Sequence, residues 1–230
     1  MRIKLILVEP KYQINLGSIA RVAKNFGIER LHVVNPRAKL TGMRAIMFSK
    51  HAHQLLENAK VYNSFNAATR DCDILIGTTG LWRRSKANFY NIGLAETIAR
   101  RVSNASGRDS TVGILIGRDD TGLNREEMEK CDFIAYIGTN PDYPVLNISH
   151  SIAILLYVFT KKEYSAVYSQ AFAPKSPEKK EMSALFRIFD STLRGKKIRN
   201  AAAVKRVFRR VIRTSNPSGE EVRALITGLK

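Results

Sequence analysis

Short, uniformly apolar runs alternate with segments of helical spacing through the first 160 residues. Runs such as "CDILIG" (residues 72–77) and "VGILIG" (residues 112–117) lack polar alternation, which is typical of strands covered on both faces of a sheet. Such strands, joined to helices by short connections, predict an α/β architecture with a mostly parallel sheet and flanking helices. Periodicity does not give the strand order. The predicted strands are residues 3–8, 30–34, 60–62, 74–77, 112–117 and 133–137, and the predicted helices are residues 15–26, 51–58, 94–102, 125–130 and 147–160.

The composition changes after residue 170. The stretch "AFAPKSPEKKE", residues 171–181, combines two prolines with a dense charge cluster, which is typical of a linker. Helical spacing returns over residues 182–193 and 201–214, and Ser218 is well placed to cap a last helix. We therefore predict an α/β domain over residues 1–170, a linker over residues 171–181 and a small all-α module over residues 182–230.

The charge of the chain is strongly positive and unevenly distributed. Thirty-eight Lys and Arg residues against 20 Asp and Glu residues give a formal net charge of +18. Residues 175–230 hold 15 basic and 5 acidic residues, a net charge of +10 on a quarter of the chain. Such an excess favours a polyanionic partner, because neutralising phosphates releases condensed counterions. The alternative is that the charge serves solubility in a basic proteome.

The sequence gives no sign of export, membrane insertion or metal binding. It has no run of 18 apolar residues and no charged-then-apolar leader, so we expect a cytoplasmic protein without a membrane partner. Cys72 and Cys131 show no partnering pattern and are expected to stay reduced. His51 and His53 stand two residues apart, on different faces of a predicted helix, and are expected at the surface.

Three segments of the predicted domain carry polar residues that a buried strand and its turn do not need. The first, "INLGSIAR" at residues 14–21, contains one glycine, whereas a dinucleotide-binding fingerprint requires three at fixed offsets. The second is "ILIGRDDTGL" at residues 114–123, and the third is "YPVLNISHSIAILLY" at residues 143–157.

Each segment also has a purely structural explanation. Asn15 and Asn147 suit helix N-caps, and the glycines of the second segment can serve turn geometry alone. Arg118 and Asp119 can form a solvated pair, and Arg21 can be a surface arginine whose stem covers apolar neighbours.

Taken together, in this order and at these positions, the segments resemble the motifs of the SPOUT superfamily of RNA methyltransferases. Asn15, Gly17 and Arg21 match the first motif, "IGRDDTGL" the second and "VLNIS" the third. The whole chain is similar to the TrmJ-type tRNA ribose 2′-O-methyltransferases, which also carry a short basic helical extension. The resemblance implies a trefoil knot in the α/β domain, S-adenosylmethionine (AdoMet) as methyl donor without a metal, and a homodimer. It further implies a tRNA substrate methylated on the ribose of nucleotide 32, with cytidine preferred.

The resemblance assigns chemistry to Arg21 and Asn15. Family proposals give Arg21 the abstraction of a proton. Because a guanidinium is a poor base, we prefer that Arg21 grips an RNA phosphate and stabilises negative charge growing on the 2′-oxygen, with Asn15 orienting it or contacting the ribose.

The cofactor would be bound mostly by backbone groups of three loops, whose glycines let the chain approach adenine and ribose closely. By position, the implied cofactor residues are Thr78, Thr79, Gly80, Gly117, Ile137, Val145, Leu146 and Asn147. Basic residues are assigned to RNA: Arg118 in the second motif and Lys205, Arg206, Arg209, Arg210 and Arg213 in the C-terminal module.

Two predicted helices have apolar surfaces that need a cover. Residues 152–159 are apolar nearly all round, so one face packs on the sheet and the other requires a partner subunit or the C-terminal module. In the C-terminal module, the basic residues of the second helix have no Asp or Glu near them in sequence, so this helix is expected to present an unpaired basic surface. There, apolar residues at helical spacing predict one apolar stripe, formed by Val204, Val207, Phe208, Val211 and Ile212.

One departure from the family pattern concerns the third motif. Pro144 and Val145 stand where some bacterial members have a serine regarded as part of their site, so no hydroxyl can assist there and the base preference stays open. Three other functions compete with the tRNA enzyme: an rRNA 2′-O-methyltransferase, a basic RNA-binding protein that kept the fold but lost turnover, and a nucleotide-dependent oxidoreductase, which the missing glycines disfavour.

Overall fold

A sheet of seven parallel strands forms the centre of the first of two units. The computed structural model describes residues 1–80, 91–105, 107, 109–172, 175–194 and 196–229, and its packing divides the chain into residues 1–163 and 164–230. The order across the sheet is β3-β2-β1-β6-β4-β7-β5. The predicted mostly parallel sheet is confirmed. Its strands are β1 (Arg2–Val8), β2 (His32–Val34), β3 (Lys60–Tyr62), β4 (Ile74–Thr78), β5 (Ile92–Leu94), β6 (Thr111–Ile116) and β7 (Phe133–Tyr136).

β1 and β6 lie side by side in the middle because both are apolar on both faces. Every residue of β6 and the last five of β1 are buried. Their pairing runs over six residues, from Arg2 opposite Thr111 to Leu7 opposite Ile116. Because parallel strands end at the same edge, the loops after β1 and β6 emerge together.

Helices cover both faces of this sheet, unevenly. One face carries the larger core, in which Leu5, Leu7 and Ile114 pack with residues of α1, α2, α3, α5 and α7. The other face, with Ile6 and Leu115, packs with residues of α4 and α6. The helices of the first unit are α1 (Gln13–Asn25), α2 (Met43–Ser49), α3 (His53–Glu57), α4 (Phe65–Thr69), α5 (Ala95–Ala105), α6 (Arg125–Glu129) and the beginning of α7 (Ile148–Phe172); a short 3₁₀ turn, Lys50–Ala52, joins α2 to α3.

Gly17 allows α1 to touch the backbone of α2. A Cβ atom at this position would lie 2.5 Å from the carbonyl oxygen of Ala45 and 2.7 Å from the Cβ of Phe48. Such distances are below those of real contacts, so a side chain here would push the two helices apart. The glycine of the first motif therefore serves helix packing.

The second unit contains three further helices around a small core. They are α8 (Lys179–Thr192), α9 (Ala201–Ser215) and α10 (Gly219–Gly228), and Leu185, Ile212 and Val222 are buried between them. The predicted cap at Ser218 is confirmed: its hydroxyl accepts a hydrogen bond from the backbone N–H of Glu221 at 3.2 Å, and the Glu221 carboxylate accepts one from the Ser218 N–H at 2.6 Å.

Helix takes up five of the eleven residues of the predicted linker, at its two ends. α7 continues to Phe172, twelve residues beyond its predicted end, and α8 begins at Lys179. α8 starts early because Glu178 and Glu181 form a reciprocal capping box, which fixes the first turn before the apolar spacing becomes regular.

Only two of the five residues of the predicted apolar stripe of α9 are packed in the second unit. Ile212 is buried and Phe208 stacks on Phe189 with ring centroids 3.6 Å apart, but Val204, Val207 and Val211 are exposed. The helix is rotated so that basic residues take part in the packed face: Arg209 donates a hydrogen bond to Asp190 at 2.6 Å. The sequence pattern did not indicate this ion pair, because Asp190 lies on α8, nineteen positions before Arg209.

The remaining composition-based predictions concern membranes and thiols. Within the described residues, no helix combines the length and apolarity needed to cross a membrane. Cys72 and Cys131 are free, and burial raises the pKa of their thiols to about 11 and about 12, so both stay protonated at neutral pH.

Candidate active site

A cavity of about 390 Å³ opens where β4, β6 and β7 end. Seven of the eight predicted cofactor residues line it; they are Thr78, Thr79, Gly80, Gly117, Ile137, Val145 and Leu146. Its walls also include residues that the sequence patterns did not indicate, among them Met128 and Ser151. The volume lies within the range of small-molecule sites, and the walls mix aliphatic side chains with the backbone of three loops.

The loop after β6 forms one wall and is folded onto itself. The N–H of Arg118 donates to the carbonyl of Gly122 at 3.1 Å and the N–H of Gly122 donates back at 3.0 Å. A Cβ on Gly117 would lie 2.1 Å from backbone atoms of Gly122 and Leu123, and Gly122 itself has a φ of +70°. Gly117 is therefore required by the shape of its own loop, whatever ligand the loop meets.

Gly80 faces the opposite wall of the cavity. A Cβ here would lie 3.4 Å from Val145, an ordinary contact. A methyl group would therefore just fit between Gly80 and Val145, whereas a larger side chain would enter the cavity between them.

One hydrogen-bond network joins all three predicted motifs. The Asn15 amide donates to the Asp119 carboxylate at 2.5 Å, and the Asn147 amide donates to the Asn15 carbonyl oxygen at 3.3 Å. The backbone N–H of Lys11 donates to the other oxygen of Asp119 at 2.8 Å. The Asn15 amide does not itself line the cavity, but it is thereby held beside Asp119, which does.

The side chain of Asn147 has a structural role. It does not line the cavity; its side-chain oxygen accepts from the N–H and hydroxyl of Ser149 and so caps α7. Asn15, by contrast, is not a cap, since α1 begins at Gln13. Capping thus explains one of the two asparagines and leaves the other available for chemistry.

Arg21 is not brought to the cavity of its own chain. It lies on the exposed side of α1, six residues beyond Asn15, and it is not among the lining residues. In a single copy, the two predicted catalytic residues are therefore not convergent.

Arg118, which is predicted to contact RNA, has a structural role. Its guanidinium donates to the carboxylate of Glu9 and, through two bonds of 2.9 and 3.0 Å, to that of Glu127. All three side chains are at least four-fifths buried. The pair with Glu127 and the bond to Glu9 raise the pKa of Arg118, and Arg118, ahead of Arg37, lowers the pKa of Glu9. The loops after β1 and β6 are thereby fastened to each other and to α6.

The described residues contain no group of three or more His, Cys, Asp or Glu side chains arranged to hold a metal ion.

Comparison of the chain with known proteins identifies its family. The model of the SpoU rRNA methylase family matches residues 2–157, which include the whole cavity and all three motifs. The chain belongs to the SpoU rRNA methylase family. A relative from Methanocaldococcus jannaschii, named tRNA (cytidine-2′-O-)-methyltransferase TrmJ, is 36% identical over 99% of this chain and 98% of its own length.

Two solved structures of the SpoU type share the fold. TrmJ from Z. mobilis covers 100% of this chain and 98% of its own, with a TM-score of 0.68 and 22% identity. The SpoU methyltransferase AviRb from Streptomyces viridochromogenes, solved in complex with AdoMet, covers 71% of this chain and 61% of its own, with a TM-score of 0.55 and 17% identity. At these identities the likeness concerns the fold alone.

We expect Arg118→Met to lower the free energy of unfolding by about 2–4 kcal/mol at pH 7, because it leaves two partly buried carboxylates without their main partner. Folding lowers the pKa of Glu9 from its usual value of 4.5. The ionised carboxylate therefore stabilises the folded protein fully above pH 4.5, and this stabilisation is lost as the pH falls through the lower pKa of the folded state. The difference between wild type and variant should therefore shrink between pH 7 and pH 3.

Urea unfolding at several pH values measures this difference. Arg125→Met is the matched control, because it removes only an exposed pair with Glu129 and should change stability by less than about 0.5 kcal/mol. Equal stability of wild type and Arg118→Met at pH 7, or a difference that widens in acid, contradicts the role given to Arg118.

Proposed function

We propose that this protein is an AdoMet-dependent tRNA ribose 2′-O-methyltransferase of the cytoplasm, which methylates nucleotide 32 in the anticodon loop and prefers cytidine there. The observation that carries the proposal is the cavity with Asn15 fixed beside its wall by Asp119. The M. jannaschii relative, whose name specifies a tRNA cytidine substrate, aligns over nearly the full length of both chains. The trefoil knot that the sequence resemblance implies belongs to the same proposal.

The lining of the cavity fits AdoMet. Ile137, Leu146 and neighbouring aliphatic side chains offer a surface for the adenine, and the lack of a side chain at Gly80 would let the cofactor approach the backbone there. The hydroxyl of Thr78 is already bonded to the carbonyl of Leu115 at 2.8 Å, so this residue would use its backbone. Of the two carboxylates on the wall, Asp120 is paired with Lys11, whereas Asp119 accepts from neutral N–H groups and suits a ligand with positive charge.

The chemistry needs alignment more than activation. Bound AdoMet supplies a methyl group on a positively charged sulfur, which is electrophilic without a metal. The chain's part is to hold the ribose oxygen in line with that methyl group and to favour loss of the hydroxyl proton. The Asn15 amide has one N–H committed to Asp119, which leaves the second free for the ribose. The guanidinium of Arg21 would bind a phosphate and stabilise the developing negative charge.

A homodimer would complete the site. Ile154 and Tyr157 of α7 are exposed, whereas Ile152, Leu155 and Leu156 on the same helix are buried. Met43 and Met47 are also exposed, side by side on α2. Large apolar side chains in this number favour a second copy as their cover. Pairing through α1 and α7 would allow Arg21 of one copy to approach the cavity of the other.

The proposed function is tested by mapping 2′-O-methylated positions in whole tRNA and rRNA after incubation with the purified protein and AdoMet. We expect one new methyl group, on the ribose of nucleotide 32 of tRNA. Gly80→Phe is the control, since its ring fills the cavity and should abolish both AdoMet binding and methylation. Methylation confined to rRNA would assign the protein to the other substrate, and tRNA binding without methylation would make it a non-catalytic binder.

Mixed dimers test the role of Arg21. Arg21→Ala should lower turnover by at least about a hundredfold, as expected when a group stabilising the transition-state charge is lost, with AdoMet affinity unchanged. Co-expression of Arg21→Ala with Gly80→Phe should restore activity, because in a mixed dimer one open cavity meets an intact Arg21 from the other copy. Dimers without restored activity would place Arg21 in its own copy's site, and a monomeric mass would remove the pairing.

The C-terminal module would supply affinity for tRNA. Arg206, Arg210 and Arg213 are exposed, so their charges are available to phosphates, although Arg213 also lies 5.6 Å from the ring centroid of Phe186. Arg209 is paired with Asp190, and the ammonium of Lys205 lies 4.0 Å from the same carboxylate, so these two residues are less available than predicted. Phosphate contacts from such a face fix position and carry no base information.

Reversing Arg206 and Arg210 to Glu should therefore weaken tRNA binding and reduce its salt dependence by roughly one unit of slope for each phosphate that is no longer bound. AdoMet affinity should not change. Lys179→Glu with Lys180→Glu on α8 is the matched control, since it makes the same change in net charge at exposed positions. Binding and salt slopes that fall equally in both variants would indicate general attraction by net charge, without a defined surface on α9.

A further inference from the structure

Tyr12 is an exposed aromatic residue beside the motif network. It precedes α1 at the cap position, and 44% of its surface is exposed. Three residues further along the chain, Asn15 binds Asp119. The function proposed above uses no contact of Tyr12.

The ring is nevertheless held in place. Its hydroxyl donates to Asp120 at 3.2 Å, and the ammonium of Lys11 lies 5.0 Å from the ring centroid. The same ammonium donates to Asp120 at 2.8 Å, and the backbone N–H of Lys11 donates to Asp119. The ion pair raises the pKa of Lys11 and lowers that of Asp120, so both groups are charged at neutral pH.

Stability alone does not account for these contacts. Lys11 and Asp120 are each about half exposed, and exposed ion pairs of this kind contribute little to folding. The effect of the contacts is to fix the orientation of a ring that stays accessible. Tyr143 shows the difference: it is 81% exposed on the loop before α7, and within the described part of the chain its side chain makes no hydrogen bond or cation–π contact such as those that hold Tyr12.

We propose that Tyr12 is a stacking platform for an unpaired base of the RNA substrate next to the target ribose, with Lys11 close to the phosphate that follows. The inference rests on the proposed function and names the form of its substrate. Proteins recognise single-stranded RNA by stacking splayed bases on aromatic rings, and the bases of a continuous A-form stem offer no free face. Tyr12 would thereby select a loop nucleotide over a nucleotide of a stem.

The positions of Asn15 and Tyr12 support the proposal that one RNA segment contacts both residues. Asp119 and Asp120 lie on the cavity wall, and the first holds Asn15 while the second holds Tyr12. A ribose that contacts Asn15 therefore carries its own or its neighbour's base toward the ring. Because both residues are anchored to adjacent carboxylates, the distance between amide and ring is fixed before RNA arrives.

The test uses the full-length protein and a stem-loop RNA with 2-aminopurine at the target position or at either neighbour. Stacking on a tyrosine ring quenches the fluorescence of this base. We expect quenching at one of the three positions with wild type and Tyr12→Phe, and its loss with Tyr12→Leu and Tyr12→Ala. The catalytic efficiency on tRNA should fall about tenfold or more in the last two variants and less than about threefold in Tyr12→Phe.

Two measurements separate stacking from other roles. AdoMet affinity and thermal unfolding should be the same for all four proteins, which excludes a general effect on the fold. Binding to a fully paired duplex of the same length should not depend on residue 12.

Three results would overturn the proposal: Tyr12→Leu equal to wild type in quenching and efficiency, Tyr12→Phe as impaired as Tyr12→Ala, or equal quenching of the paired duplex. The second result would mean that only the hydroxyl bond to Asp120 matters. If wild type methylates no RNA, the proposed function fails, whereas the fluorescence measurement still reports whether the ring stacks on a base.

Discussion

The pairing of β1 with β6 is the interaction on which the rest of the site depends. Residues more than 100 positions apart in sequence become neighbours through a six-residue parallel register, and the loops that follow both strands leave the sheet at one edge. The contacts between these two loops, from Glu9 with Arg118 to Asn15 with Asp119, require that register. A slip by one residue would turn the side chains of β1 to the opposite face and separate the two loops.

Three consecutive residues of the loop after β6 have different roles at this edge of the sheet. Arg118, Asp119 and Asp120 succeed one another after Gly117, yet each is used differently: the first fixes the loop, the second holds Asn15 and the third holds Lys11 and Tyr12. A tight loop makes this possible because successive side chains point in different directions. The scaffold and the residues proposed to meet RNA are therefore built from one turn of chain.

The sequence predicted the strands well, since uninterrupted apolar runs have few alternatives in a chain of this kind. Seven of the cofactor residues implied by the family resemblance line the cavity, and they converge there because parallel strands end at one edge of the sheet. The prediction failed where a side chain's partner is distant in sequence: Arg118 meets Glu9, and Arg209 meets Asp190, through contacts that no periodicity reveals. It also missed α2, a helix of seven residues whose packing depends on the close approach at Gly17, and β5, a three-residue strand with a central glycine.

The contact at Gly17 has a mechanical consequence. Where α1 crosses α2, backbone meets backbone, and no flexible side chain lies between them to absorb a displacement. The two helices are therefore packed rigidly against each other, with Asn15 near the beginning of α1 and the exposed Met43 and Met47 on α2. A displacement of α2 toward α1 would therefore have to displace α1 as well, and with it the amide of Asn15.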